Sequence, residues 1–119
     1  MALGAAGVQV GTAYLLCTEA TTGALHRAAL KSEARLVSAI TNVFTGRPAR
    51  GIVNRLIREL GPINSVVPEF PLAASMLAAL RAKAESVGRD DFSSMWAGQN
   101  TSGCREVSAG LITQELAAY

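Results

Sequence analysis

Aromatic side chains are scarce in this 119-residue chain, which has one tryptophan, two tyrosines and three phenylalanines. Half of the residues are hydrophobic, but alanine and glycine carry much of that fraction, so the apolar count overstates the volume available to a core. Histidine occurs once, as His26, and cysteine twice, as Cys17 and Cys104, with no C-x-x-C spacing. That pattern excludes a disulfide framework and a zinc site of clustered ligands, and a reducing, cytoplasmic setting is expected. Charge is sparse as well, and a formal net charge of +2 is too small an excess to imply nucleic acid by itself. No charged side chain occurs from Met1 to Thr18, yet no basic region precedes this stretch as a secretory signal requires. Gly4, Gly7, Gln9, Gly11 and Thr12 interrupt it well short of the about 20 apolar residues of a membrane span. The Gly7/Gly11 pair is a weak signal without such a span, and no membrane role is expected. What remains is one small folded unit, able to bury roughly two-thirds of its unfolded surface.

Residues 7–16, GVQVGTAYLL, read as a short buried strand followed by a loop, with Val8 and Val10 as β-branched bulk between glycines. Ala2–Ala6 is small and helix-compatible. A helix is expected over Glu19–Ala34, capped by Thr21 or Thr22, with Leu25, Ala28, Ala29 and Ser32 along one face. Leu36–Phe44 suits an extended or irregular apolar segment, and Thr45-Gly46-Arg47-Pro48 is a turn signal. Over Arg50–Leu60 the helical period is clear. Ile52, Val53, Leu56, Ile57 and Leu60 fall on one arc, and Arg50, Arg55 and Arg58 on the other. Gly61-Pro62 supplies the stop, and residues 61–71 form a connector. Leu72–Val87 reads as an alanine-rich helix with Leu72, Met76, Leu80 and Val87 on one face and Gly88 at its end. Asp90–Arg105 is loop sequence around Trp96, and Ser108 is placed to cap a last helix through Leu116.

These elements leave one strand without a visible partner. A buried strand must satisfy its N–H and C=O groups in a ladder, so either Leu36–Phe44 pairs with residues 7–12 or the partners lie outside this chain. The second is the reading adopted. Gly7-Val8-Gln9-Val10-Gly11-Thr12 has the build of a phosphate-facing strand end: glycine permits close approach, backbone N–H groups can point at an anion, and a threonine hydroxyl adds a donor. The same residues also suit a tight strand-to-loop turn, since short glycine motifs match often.

The runs GAAGVQVGTAYLLCTEA, TNVFTGRPARGIVNRL and WAGQN, in that order, resemble the nitronate monooxygenases, the group long called 2-nitropropane dioxygenases. The resemblance covers nearly the whole chain. It implies an α/β fold in which this sequence is the C-terminal portion of an FMN-binding (β/α)8 TIM barrel plus a mostly helical second domain, and by itself mainly α. Residues 1–34 would be the last strand and helix of the barrel, and residues 35–119 the helical domain. It implies FMN as cofactor, held at its phosphate by Gln9, Val10, Gly11 and Thr12, with a small nitronate and O2 as reactants and the remainder of the barrel required. The implied activity is oxidation of alkyl nitronates to a carbonyl compound and nitrite. The family's catalytic base is a histidine in a glycine-flanked motif on an earlier strand, and this sequence has no match for it, so no catalytic residue is assigned and the chain alone is expected to be inactive.

His26, in ALHRAAL without glycine neighbours, is expected to be a boundary helix residue. Arg47 and Arg50 of TGRPAR either grip an anionic group or pair with acids and solvent around a turn. Trp96 is a packing anchor or lies at the mouth of the site. A related FMN barrel reducing quinones or enones would share the phosphate strand. A helical interaction or nucleic-acid-binding module built on Arg50, Arg55 and Arg58 is the other rival, but no aromatic platform accompanies those arginines and a solvated helix face is the simpler account.

Overall fold

The computed structural model describes residues 4–118. In chain order they form a 3-10 turn at Thr12–Leu16, helix α1 (Ala24–Lys31), a second 3-10 turn at Glu33–Leu36 and strands β1 (Ser38–Thr41) and β2 (Ala49–Ile52). Helices α2 (Arg55–Leu60), α3 (Leu72–Glu85) and α4 (Ala109–Ala117) follow. The described chain is therefore mainly helical, with one antiparallel hairpin. None of its helices is long and apolar enough to cross a membrane.

The buried strand expected at the start of residues 7–16 does not form. Residues 7–11 lie outside any ladder and are exposed, Val8 at 73%, before the first 3-10 turn begins. The reason is pairing. β1 and β2, the strands among the described residues, pair with each other, Ser38 opposite Ile52 and Thr41 opposite Ala49, and neither forms a ladder with residues 7–11. Of the helix-compatible stretch Ala2–Ala6, the first two positions lie outside the described residues and 4–6 are not helical. α1 is shorter than the Glu19–Ala34 helix expected. Its N-cap is Gly23 rather than a threonine, and Ser32 stops it by turning extended and accepting from the Ala34 N–H.

The helix expected over Arg50–Leu60 splits in two. Ala49–Ile52 is β2, held on its second edge by residues 95–97: Ile52 N–H donates to Met95 O at 2.8 Å, and Ala97 N–H to Arg50 O at 3.1 Å. Asn54 then adopts extended backbone and caps α2, its Oδ1 accepting from Ile57 N–H. Tertiary ladder bonds thus override the local helical period. Arg50 consequently shares no helix face with Arg55 and Arg58. α2 ends at Gly61 (φ +78°), as its Gly-Pro signal predicts, and Gly88 (φ +74°) follows α3.

The two faces of the hairpin seed two cores. Ile52 packs with Leu16, Ala29, Leu30, Met95 and Ala97 on one side. On the other, Ala39 joins Val43, Phe44, Leu56, Ile57 and Trp96, the Phe44 and Trp96 rings meeting edge to face. Trp96 also explains Gly51, where an added Cβ would sit 3.3 Å from Trp96 Cε3 and 3.1 Å from Met95 O. α3 turns Ala73, Leu77 and Ala84 inward and leaves Leu72, Met76, Leu80 and Val87 exposed, Met76 at 72%.

Candidate functional site

Gln9, Val10, Gly11 and Thr12 lie together along a cleft of about 400 Å³ that also takes in Gly98, Asn100 and Gly103. The structure thus brings the first and third of the sequence motifs, GVQVGT and WAGQN, to one place. Thr12 is the hinge of the arrangement. Its Oγ1 accepts from Gly98 N–H at 2.8 Å, and its carbonyl accepts from Cys104 Sγ at 3.1 Å. Burial pushes the Cys104 thiol up, which keeps on sulfur the proton that this contact needs. Gly98 is fitted to the contact, since a Cβ there would lie 3.3 Å from Thr12 Oγ1. A Cβ on Gly11 would meet nothing within 4 Å, and its φ of −119° is open to any residue, so this chain's own packing does not require glycine at Gly11.

The segment behind the cleft is held from both sides. Arg27 reaches back from α1 to the carbonyls of Leu15, Leu16 and Cys17, Nη2 meeting Leu16 O at 2.8 Å, so a cation sits at the C-terminal end of the 3-10 turn. Thr18 N–H donates to Val107 O, and Tyr14 Oη lies 2.9 Å from Thr113 Oγ1 on α4. Ser108 caps α4 through Leu111 N–H, as its position predicts, and both Glu19 oxygens accept from Ala109 N–H. That backbone bond, with the Thr18 hydroxyl, holds the Glu19 carboxyl below its ordinary value of 4.5. A carboxylate favoured by the folded state contributes fully above the ordinary value, and the contribution is lost as pH falls through the lowered one. Protection of the α4 amides, taken relative to their intrinsic exchange at each pH, is therefore expected to fall on acidification below about pH 4.5, and Glu19→Gln is expected to flatten that dependence.

His26 is a half-buried helix residue, as expected. Burial lowers its pKa, the Trp96 backbone pulls the other way, and its Nε2 is buried without a hydrogen-bond partner. It lies apart from the residue 9–12 cleft, beside Arg81, Glu85 and Ser93. The two arginines of TGRPAR separate. Arg47 is exposed and stacks 4.4 Å from the Phe70 ring centroid, whereas Arg50 lines a second cleft with Gly11, Thr12 and Trp96. Trp96 is both packing anchor and cleft wall. No cluster of metal-ligating side chains occurs among the described residues.

Residues 1–118 match the family model described as nitronate monooxygenase. A probable nitronate monooxygenase from Staphylococcus saprophyticus is 33% identical over 116 residues, covering 98% of this chain and 33% of the relative. A nitronate monooxygenase from Pseudomonas aeruginosa is 36% identical over 115 residues, covering 96% of this chain and 33% of the relative. Among solved structures, nitroalkane oxidase from Streptomyces ansochromogenes superposes with a TM-score of 0.83 at 36% identity, covering 98% of this chain and 33% of that one. The chain thus spans about a third of the length of the curated relatives it matches. With the match running from end to end of the described residues, the chain belongs to the nitronate monooxygenase family.

Proposed function

We propose that this chain forms the cofactor-phosphate end and part of the covering wall of an FMN-dependent nitronate monooxygenase, with the catalytic base supplied from outside these residues. The observation that carries the reading is the Thr12 hydroxyl. Because Oγ1 accepts from Gly98 N–H, its own proton is left free to donate, and the residue lines the cleft with the exposed backbone of Gln9–Gly11. A phosphate monoester needs several such donors and a chain that can approach closely, and Gly11 leaves open space for it. When bound, FMN would supply the electron chemistry that turns an alkyl nitronate and O2 into a carbonyl compound and nitrite. The chain's own part is to hold the phosphate at Gln9, Val10, Gly11 and Thr12 and to exclude water with the loop around Trp96.

Residues 1–34 then belong to the barrel and residues 35–119 to the helical domain. Val8 and the apolar face of α3, exposed here, suit burial against the rest of such a protein. The unpaired Cys17 and Cys104 suit a reducing, cytoplasmic setting.

Grafting residues 1–119 in place of the corresponding third of the Pseudomonas aeruginosa relative tests the reading. The chimera is expected to retain FMN and to oxidise alkyl nitronates, while the 119-residue chain alone gives no turnover. Thr12→Val in the chimera is expected to weaken FMN binding about tenfold or more, the effect of one hydrogen bond to a charged group. A folded chimera that purifies without flavin would overturn the reading.

A further inference from the structure

We infer that Arg50, and not Arg47, is the cation of the site, and that its guanidinium fork grips a pair of oxygens carried on one central atom of an anionic ligand. The inference deepens the reading above and rests on it only for the identity of that anion.

Arg50 lies on β2 opposite Ile40, on the hairpin face that carries Ile52 into the core beside Leu16. Its side chain lines a cleft of about 360 Å³ with Gly11, Thr12, Leu15, Trp96 and Gly98, and of the lining residues only Arg50 is charged. The backbone fixes where it stands. Arg50 O accepts from Ala97 N–H, and the next residue along, Gly98, donates to Thr12 Oγ1, so Arg50 is tied to the Thr12 hydroxyl through one short run of chain. The side chain is steadied from the neighbouring strand. Nη1 reaches the carbonyl and hydroxyl of Ser38 at 3.4 and 3.3 Å, the diagonal position across an antiparallel pair.

Those contacts engage one corner of the guanidinium. Nε and Nη2 have no acceptor among the described residues, and together they form one edge of the planar fork, which matches two oxygens on a common atom. The other arginines of the motifs are occupied or distant. Arg47 covers Phe70, and Arg55 is paired with Glu59 at 2.7 Å. Two ligands of the proposed enzyme carry the required chemistry: the phosphate of the flavin, with its oxygens on phosphorus, and the nitronate group, with two oxygens sharing one negative charge on nitrogen. A lone cation in a cleft walled by Trp96, Leu15 and glycines acts there with little competition from other charges.

The experiment follows the Nε–Hε signals of the ¹⁵N-labelled chain during separate titrations with inorganic phosphate, FMN and propane-2-nitronate, against sodium chloride at equal ionic strength. The signal lost in Arg50→Lys identifies Arg50. It is expected to shift saturably while the Arg47 signal shows the chloride response alone, and Arg50→Lys is expected to weaken the same ligand about tenfold by losing the fork while keeping the charge. A shift with phosphate and FMN only assigns the fork to the cofactor, a shift with nitronate only assigns it to the substrate, and a shift with both supports a general oxyanion grip. An Arg50 signal that moves no further than Arg47 with all three overturns the inference. Its fate is separable from that of the flavin reading: a flavin-free chimera beside a responsive Arg50 in the labelled chain refutes the latter alone, and a flavin-loaded chimera beside a silent Arg50 in that chain refutes the former alone.

Discussion

Gly46→Ala is expected to cost about 4 kcal/mol or more, a large share of the roughly 5–15 kcal/mol by which a domain of this size is stable. Two effects combine. Gly46 sits at φ +86°, where an L side chain costs roughly 1–2 kcal/mol. The added Cβ would also lie 2.5 Å from Phe70 N and Pro68 O and 2.8 Å from Glu69 C. All three are backbone atoms, so no side chain can swing aside, and the connector of residues 61–71 would have to leave the turn. The turn itself has no slack, because Gly46 N–H is bonded to Asn42 O at 2.8 Å. Gly61→Ala is the control. It shares the positive φ, with φ +78° and ψ 156° in a region nearly reserved for glycine, but its nearest neighbour is Ile63 O at 4.0 Å, so the backbone cost alone, about 1–3 kcal/mol, is expected. Urea unfolding of the pair separates the steric part from the backbone part, provided the m-values agree. Equal midpoints for the two variants would show that the connector does not press on Gly46.

The second large effect belongs to Asn54, a buried amide that serves three partners. Oδ1 caps α2 at Ile57 N–H, while Nδ2 donates to Asp90 O and Ser93 O, each at 2.9 Å. Asn54→Ala removes the cap, worth about 1 kcal/mol, and leaves the Ser93 carbonyl short of a donor at a further ~1–3 kcal/mol, so a total near 3 kcal/mol is expected. Asn54→Asp is the sharper test. A carboxylate can still cap α2, but it cannot donate, and it faces two carbonyl oxygens. It is expected to be at least as damaging as alanine at neutral pH, and to recover partly in acid, where the protonated carboxyl regains one donor. An aspartate variant as stable as the parent would show that the bonds to residues 90 and 93 contribute nothing. Those bonds matter beyond stability, since they fix the start of the loop that carries Trp96 and Gly98 to the cleft.

Much of this architecture can be read from local chemistry. Gly61-Pro62, Gly88 and Ser108 mark helix ends because each acts through a backbone conformation or a hydrogen bond within its own turn. Asn54 is legible in the same way, as an N-cap residue directly before RLIREL, although a helical period running back to Arg50 obscures it. β2 is not legible. Ile52, Val53, Leu56 and Ile57 satisfy a helix wheel, and what makes Ala49–Ile52 a strand is its ladder to β1 together with bonds on its other edge to Met95 and Ala97, more than 40 positions away. The reverse holds for residues 7–12, whose strand-like composition finds no ladder among the described residues. α3 shows a third limit: its apolar series is visible in the sequence, but not which surface meets it. Of the site, residues 9–12 are identified by family resemblance, whereas their contact with Gly98 and the separation of Arg50 from Arg47 are products of tertiary packing.

The bond from Gly98 N–H to Thr12 Oγ1 closes a loop of 86 positions, and that span has a consequence for biosynthesis. A polypeptide leaves the ribosome from its N-terminus at roughly 5–20 residues per second, so Thr12 emerges roughly 4–17 s before its partner is made. During that interval Thr12 Oγ1 lacks the N–H that anchors it, so the segment of residues 9–12 is without its tie to the WAGQN loop. Slowing translation over residues 90–98 would lengthen that interval in direct proportion.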